Sequence, residues 1–251
     1  MKISVCMASY NGEWFIREQL SSILSQLGND DEIVLVDDAS TDETVDIAER
    51  FSDKRIRIFR QAHNCGVLKT FERALEEATG EIIFLADQDD FWRPDKVSKI
   101  KSLFSERPDL SLVLSDSFIV DARGQITSET RFRSGRFRPG ALQNIIRNRY
   151  LGCAMAFRRS ILGYCLPFPS DIPMHDMWIG IVNQFVGKTG FIDEPLMSYR
   201  RHDTNLSPRR HAPLTQMIRW RWALVKNLGL LYARRLARRN HDARIIDAKR
   251  Q

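Results

Sequence analysis

The chain has 251 residues, 43 % hydrophobic and 28 % charged, which suits one large domain, or a domain with a tail, around a real core. Its formal net charge of +6 is unevenly spread: residues 209–251 hold 12 Lys/Arg against 2 Asp/Glu, and residues 1–208 hold 26 against 30. The basic character therefore belongs to the tail, and the mildly acidic body argues against a nucleic-acid-binding core.

No uncharged apolar run is long enough to cross a bilayer. The chain enters an apolar strand, Ile3 to Ala8, almost at once, so no signal peptide is expected. Cys6, Cys65, Cys153 and Cys165 form neither a CxxC pair nor a zinc spacing, and reduced thiols in a cytoplasmic protein are expected.

Ile3 to Ala8 is followed by a turn at Ser9-Tyr10-Asn11-Gly12, and Trp14 to Leu27 has apolar residues at helical spacing. Glu32 to Val36 is a second strand ending in Asp37 and Asp38, and Ser40-Thr41-Asp42-Glu43 caps a helix through about Phe51. Ile56 to Phe59 is a third strand, a polar loop spans Gln61 to Gly66, and a helix runs from about Val67 to Ala78 and stops at Gly80. The run Ile82 to Ala86 suits a strand buried on both faces. It ends in Asp87-Gln88-Asp89-Asp90, then Phe91, Trp92 and Pro94, the last well placed to open a helix. This alternation predicts an α/β fold with a doubly wound, mostly parallel sheet flanked by helices. Acids released at a buried strand's carboxyl end lie where such sheets bind ligands. Three carboxylates so close together call for a nearby cation; the plainer alternative is an acidic turn that caps the next helix. There is no GxGxxG after the first strand and no P-loop, so neither an ordinary dinucleotide site nor a P-loop is supported.

The second half is less regular. A helix is expected over Pro94 to Phe104, strands over Ser111 to Ser115 and Cys153 to Phe157, and a turn at Asp121 to Gly124. Phe132 to Pro139, basic and aromatic, reads as a mobile loop. An irregular segment from Pro167 to Pro173 delivers His175-Asp176 to a helix from Met177 to Val186, and Leu196 to Tyr199 is a last strand before Arg200-Arg201-His202. In the tail, Leu214, Met217, Ile218, Trp222, Val225, Leu228, Tyr232 and Leu236 recur at helical spacing, with Arg234, Arg235, Arg238 and Arg239 following. That pattern suits either an interfacial helix on an anionic leaflet or a helix packed on the domain with a solvated basic end.

Ala8 to Gly12, Val36 to Asp42, Asn64-Cys65-Gly66, Asp87 to Asp90, Asp176 and Arg201-His202, in this order, resemble the family 2 glycosyltransferases with a GT-A fold. The resemblance spans residues 1 to about 205 and implies a catalytic domain at 1–208 with a basic, amphipathic helical tail at 209–251. It implies that Asp38 accepts the N3–H of a uracil or thymine ring beside Tyr10. Further nucleotide-sugar contacts are implied at Ala8, Asn64, Lys69, Asp87 and Gln88. Asp87-Gln88-Asp89 is similar to the family's DxD element, and Asp89, Asp90 and His202 would meet Mn²⁺ or Mg²⁺, for which hard oxygen donors are suited. Asp176 is similar to the family's catalytic base; its plainer reading is a cap for the helix that follows. Ala8 departs from the hydroxyl residue common at its position, which puts one base contact in doubt.

His175-Asp176 and the run Ala86 to Trp92 are similar to the rhamnosyltransferase-like branch. The resemblance therefore implies an inverting transferase moving rhamnose from dTDP-rhamnose, or a sugar from a UDP-sugar, to a cell-surface polysaccharide or lipid-linked glycan. It implies a cytoplasmic protein, peripheral at the membrane through its tail, with no nucleic-acid partner. The tail has almost no acids and is not expected to contribute to the chemistry. Two competing readings are a nucleotidyltransferase, which would want a Gly-rich loop with Arg and Lys where Ser9 to Glu13 has neither, and a non-catalytic nucleotide-sugar or membrane-binding module, against which Asp38, Asp89 and Asp176 together argue.

Overall fold

The computed structural model describes residues 1–128, 130, 144, 148, 150–203, 205 and 213–248. In the first half, β1 (Ile3–Ser9), β2 (Glu32–Asp37), β3 (Ile56–Arg60) and β4 (Ile82–Asp87) alternate with α1 (Ile16–Leu24), α2 (Thr44–Glu49) and α3 (Val67–Glu77). The four strands are parallel in the order β3-β2-β1-β4, with Val5 opposite Ile33 on one side and Phe84 on the other. The chain winds outward from β1 to β3 and then returns to lay β4 on the free side of β1. The carboxyl ends of β1 and β4 thus flank a switch point, where an open sheet leaves a crevice.

Side chains of a strand alternate between faces, and helices cover both faces here. Ile82, Phe84 and Ala86 enter one core with Ile16, Leu20 and Ile23 of α1, whereas Ile83 and Leu85 enter the other with Phe71, Ala74 and Leu75 of α3. That is why the run Ile82 to Ala86 is apolar without a break.

The second half adds β5 (Phe91–Trp92), α4 (Lys96–Glu106), β6 (Leu110–Val120), β7 (Ile126–Ser128), β8 (Met155–Arg158), α5 (Leu162–Cys165), α6 (His175–Val186), β9 (Lys188–Arg200) and α7 (Leu214–Ala248). The full strand order is β3-β2-β1-β4-β8-β6-β9-β5, with β7 on β6. β8 is antiparallel to both β4 and β6, β9 runs parallel to β6, and β5 pairs antiparallel with β9. The strand expected at Leu196 to Tyr199 is the buried end of the 13-residue β9, whose first half is exposed or half-buried and so has no apolar run to announce it. The strand expected from Cys153 begins with a 3₁₀ turn over Gly152–Ala154. The loop expected at 132–139 lies outside the described residues.

The tail forms α7. Leu224 is fully buried, and Leu228 and Leu231 pack against the same core as α3. Lys226 and Asn227 both bond the Asp171 carboxylate. The segment expected as a tail at 209–251 therefore packs by one face on the domain expected at 1–208.

At the opposite end of the sheet from the crevice, the buried Glu32 ties three elements together. Its Oε1 accepts from Ser4 Oγ and from the N–H and Oγ1 of Thr79, and its Oε2 accepts from Arg57. Gly80 N–H donates to Ser4 Oγ, and a Cβ on Gly80 would lie 2.5 Å from Ser4 N, so only glycine fits this junction. Burial works to raise the Glu32 pKa, but the bonds from Ser4, Thr79 and Arg57 outweigh it and hold the carboxyl at about 2, against an ordinary value of 4.5. A carboxyl depressed in the folded state stabilises it above the ordinary pKa and loses that contribution as pH falls through the folded value. Glu32→Gln is therefore expected to lower stability at neutral pH by about 1–3 kcal/mol. The deficit should shrink as pH falls from 4.5 towards 2, read from denaturant titrations over that range.

Candidate active site

The carboxyl end of β4 delivers Asp87, Gln88, Asp89 and Asp90 into the crevice, and each side chain goes a different way. Asp89 Oδ2 lies 2.8 Å from His202 Nε2 and accepts from Asn205 Nδ2 at 2.9 Å. The His202 ring is stacked on Phe15, with centroids 4.7 Å apart. The buried Arg200 holds the turn from below: its Nε donates to Asp89 O, its two terminal nitrogens to Ala122 O and Glu18, and its backbone N–H to Asp90 Oδ1.

Gln88 does not project into the crevice as a free ligand group. Its amide clasps the backbone of Tyr10, accepting from Tyr10 N–H and donating to Tyr10 O, both at 2.9 Å. Gly12 makes the clasp possible, because a Cβ there would lie 2.2 Å from Gln88 Oε1.

Asp90, expected beside Asp89 as a metal ligand, is turned inward instead and is fully buried. Asp87, Asp90 and Cys153 bring one oxygen or sulfur each within 4.8 Å of one another. Lys96, on the first turn of α4, is fully buried in the same place. Its Nζ donates to Cys153 O at 2.6 Å and lies 4.1 Å from the Trp92 ring centroid. Burial, then the charges of Asp89 and Asp176, raise the Asp87 pKa; burial, Asp89 and Asp87 raise that of Asp90. Burial also lowers Lys96 to about 8, with Cys153, Asp90 and Asp87 opposing. A thiol kept protonated by burial and an ammonium already in place make this inner group a poor home for a hard cation. Asp89 and His202, still 13 % and 11 % exposed, supply an oxygen and a nitrogen donor, with Asn205 Nδ2 donating to Asp89, and they fit a divalent cation better.

At the end of β2, Asp38 Oδ1 accepts from Gln61 Nε2 and Cys65 N–H, and Oδ2 from Gly66 N–H, which pins the 61–66 loop. Gly66 takes φ of +83°, a left-handed conformation that favours glycine. With one bond only, Oδ2 retains acceptor capacity. Asp37, by contrast, is spent on Ser9 at the end of β1 and on Ser40 in its own turn. Tyr10 presents a ring 44 % exposed, Ala8 sits in register between Val36 and Asp87, and Asn64 is exposed in the pinned loop. Lys69 is ion-paired with Glu72, whose other oxygen accepts from Phe168 N–H.

Asp176 is the second residue of α6, because the helix starts at His175 rather than at Met177 as the sequence suggested, with Met174 in the N-cap position. Its Oδ1 accepts from Met177 N–H at 2.6 Å and its Oδ2 from Gly152 N–H at 3.2 Å. It therefore does satisfy the helix start, and it also lies near enough to Asp87 for its charge to raise the Asp87 pKa. His175 faces the other way, stacked 3.9 Å from Phe71, with both ring nitrogens buried and unpartnered among the described residues. Burial drives its pKa down to about 3, so the ring is neutral.

The sequence alone did not single out Glu18, Lys96, Gly152 or Asn205. Lys96 had a signal, a cation six residues beyond an acidic turn; Asn205 had only its spacing of three from His202.

Residues 4–165 match the family model Glycosyl transferase family 2. A glycosyltransferase from Nostoc sp., described as uncharacterized, is 29 % identical over 217 residues, 82 % of this chain and 66 % of its own length. A putative teichuronic acid biosynthesis glycosyltransferase of Bacillus subtilis, TuaG, is 36 % identical over 107 residues, 42 % of either chain. Among solved structures, S. aureus TarS 1–349 in complex with UDP-GlcNAc is similar in fold with a TM-score of 0.69 at 22 % identity, covering 84 % of this chain and 62 % of that one. A mannosyltransferase from Pyrobaculum calidifontis, in complex with GDP-Man and Mn²⁺, gives a TM-score of 0.58 at 22 % identity over 94 % of this chain and 64 % of its own. The chain thus spans 42 % to 66 % of the length of these relatives.

The inner cluster generates a prediction about stability. Lys96→Met removes the donor to the buried Cys153 carbonyl and is expected to cost about 1–3 kcal/mol, read from denaturant unfolding.

Proposed function

The chain belongs to glycosyl transferase family 2, and on that footing we propose that it transfers a sugar, with inversion, from a nucleoside-diphosphate sugar to an acceptor hydroxyl in the crevice between β1 and β4. The observation that carries this reading is the position of Asp176, a carboxylate anchored at the start of α6 within electrostatic reach of the acidic turn. A base needs a rigid mount near the reacting carbon. The Met177 and Gly152 N–H groups hold the Asp176 carboxyl fixed in orientation.

In this reading Asp176 takes the proton of the acceptor hydroxyl as its oxygen attacks the anomeric carbon. Tyr10 covers one face of the base and Asp38 Oδ2 accepts its N3–H, with the 61–66 loop already folded over that carboxylate. Asp89 and His202, steadied by the Asn205 amide, would hold a divalent cation, Mn²⁺ or Mg²⁺, which when bound neutralises the leaving diphosphate. Stacking on Phe15 and the bond to Asp89 orient His202 to present a lone pair. Gln88 joins the two halves of the donor site by clasping Tyr10 to the turn that carries Asp87 and Asp89.

The run Ala86 to Trp92 together with His175-Asp176 supports dTDP-rhamnose as donor over a UDP-hexose. The name of the Bacillus subtilis relative supports a cell-envelope polysaccharide or lipid-linked glycan as acceptor.

Asp176→Asn is expected to keep donor affinity and lose turnover by about two to four orders of magnitude. Asp89→Ala should instead lose metal-dependent donor binding with the fold intact, measured by calorimetry with and without Mn²⁺. Near-normal turnover of Asp176→Asn would return Asp176 to a helix-capping role alone. A donor panel against one acceptor extract should show more transfer from dTDP-rhamnose than from UDP-GlcNAc or GDP-mannose, and the opposite order would replace the sugar without touching the mechanism.

A further inference from the structure

The two sides of α7 are differently employed. Leu224, Leu228 and Leu231 face the domain, and Lys226 and Asn227 fasten the helix to Asp171. Leu214, Ile218, Trp222, Val225 and Tyr232 are each at least half exposed, and Trp222 is 71 % exposed. At 3.6 residues per turn these five residues fall within an arc of about 80° and run for about 27 Å along the helix. Single exposed apolar side chains are ordinary, but an aligned stripe of this length on a docked helix marks a surface that meets something apolar.

We propose that this stripe is a docking face for an anionic lipid leaflet, on which the protein sits with α7 lying in the interface. Two features select lipid over another protein surface. The stripe carries Trp and Tyr, whose rings suit the headgroup boundary. The segment 209–251 that bears it holds 12 Lys/Arg against 2 Asp/Glu, and four of those arginines, Arg234, Arg235, Arg238 and Arg239, follow directly on the stripe. A basic segment beside an apolar face draws strength from both terms at an anionic membrane. A second copy packed stripe on stripe would instead bring two such segments, each with a balance of +10, onto one interface. Because the docked face is separate from the stripe, lipid contact requires no part of the domain to unfold. The inference does not depend on glycosyl transfer.

The test uses the full chain and vesicles of phosphatidylcholine with or without phosphatidylglycerol. The protein should co-sediment with the phosphatidylglycerol vesicles, release in high salt, and bind pure phosphatidylcholine weakly. The triple variant Ile218→Ser, Trp222→Ser, Val225→Ser should bind the anionic vesicles more than about tenfold less, since three apolar side chains no longer leave water. Its melting temperature should fall only slightly, because Ile218, Val225 and Trp222 are 50 %, 53 % and 71 % exposed. Changing Arg234, Arg235, Arg238 and Arg239 to Gln should weaken binding and flatten its salt dependence. Absence of vesicle binding by the natural chain, or binding unchanged by the stripe variant, would overturn the proposal. So would a dimer in light scattering that the stripe variant converts to monomer, since that assigns the face to a second copy. Donor hydrolysis without vesicles reads the crevice separately and should be the same in the natural chain and the stripe variant.

Discussion

Concentrating negative charge at the end of one buried strand is the constraint that the surrounding structure answers. Asp87, Asp89 and Asp90 leave β4 within four residues, and Asp176 faces them from α6. Like charges in so small a space raise one another's pKa, and burial adds to the cost. The fold meets this with two buried cations on opposite sides of the turn. Arg200, from the end of β9, bonds Asp89 O and Glu18 and gives its N–H to Asp90, while Lys96, from α4, sits with Asp87 and Asp90. Arg200 arrives from the mixed part of the sheet, and Lys96 from the helix that follows the turn. The mixed part of the sheet is therefore one of two contributions that make the acidic turn of the parallel part tolerable.

With the inner charges answered, Asp89 and His202 remain directed at the crevice, half answered by Asn205 and by each other. The distinction follows from donor chemistry: an ammonium and a thiol close the inner cluster, whereas the outer one offers lone pairs to a cation that arrives with its ligand.

The donor half of the crevice is assembled by backbone contacts. Gln88 clasps Tyr10, and Asp38 gathers the N–H groups of Cys65 and Gly66. Each clasp needs a neighbouring glycine, Gly12 for clearance and Gly66 for its backbone angle. The turn after β1 and the acidic turn are thus mechanically joined through Gln88, and a change in either is felt by the other. At the far end of the chain, α7 shows a different economy, one face completing the core and the other left to the surroundings.

How much of this was legible in the sequence varies with the range of the interaction. The largely apolar runs Ile3 to Ala8, Ile33 to Val36 and Ile82 to Ala86 determined buried parallel strands, because burial on two faces leaves few polar positions. Acids placed at those strand ends determined where a ligand crevice would lie, and the glycines marked the turns. Those are local consequences of periodicity and backbone geometry. The start of β9 escaped, because its exposed residues have no periodic signal to give. Only the tertiary structure decided that Asp90 turns in to the Arg200 N–H while Asp89 turns out to His202, that Gln88 is a clasp, and that Asn205 donates to Asp89. Adjacent carboxylates are chemically identical in a sequence. What separates them is which partner, brought from about a hundred residues away, occupies the space beside each one, and that is settled only when the sheet closes.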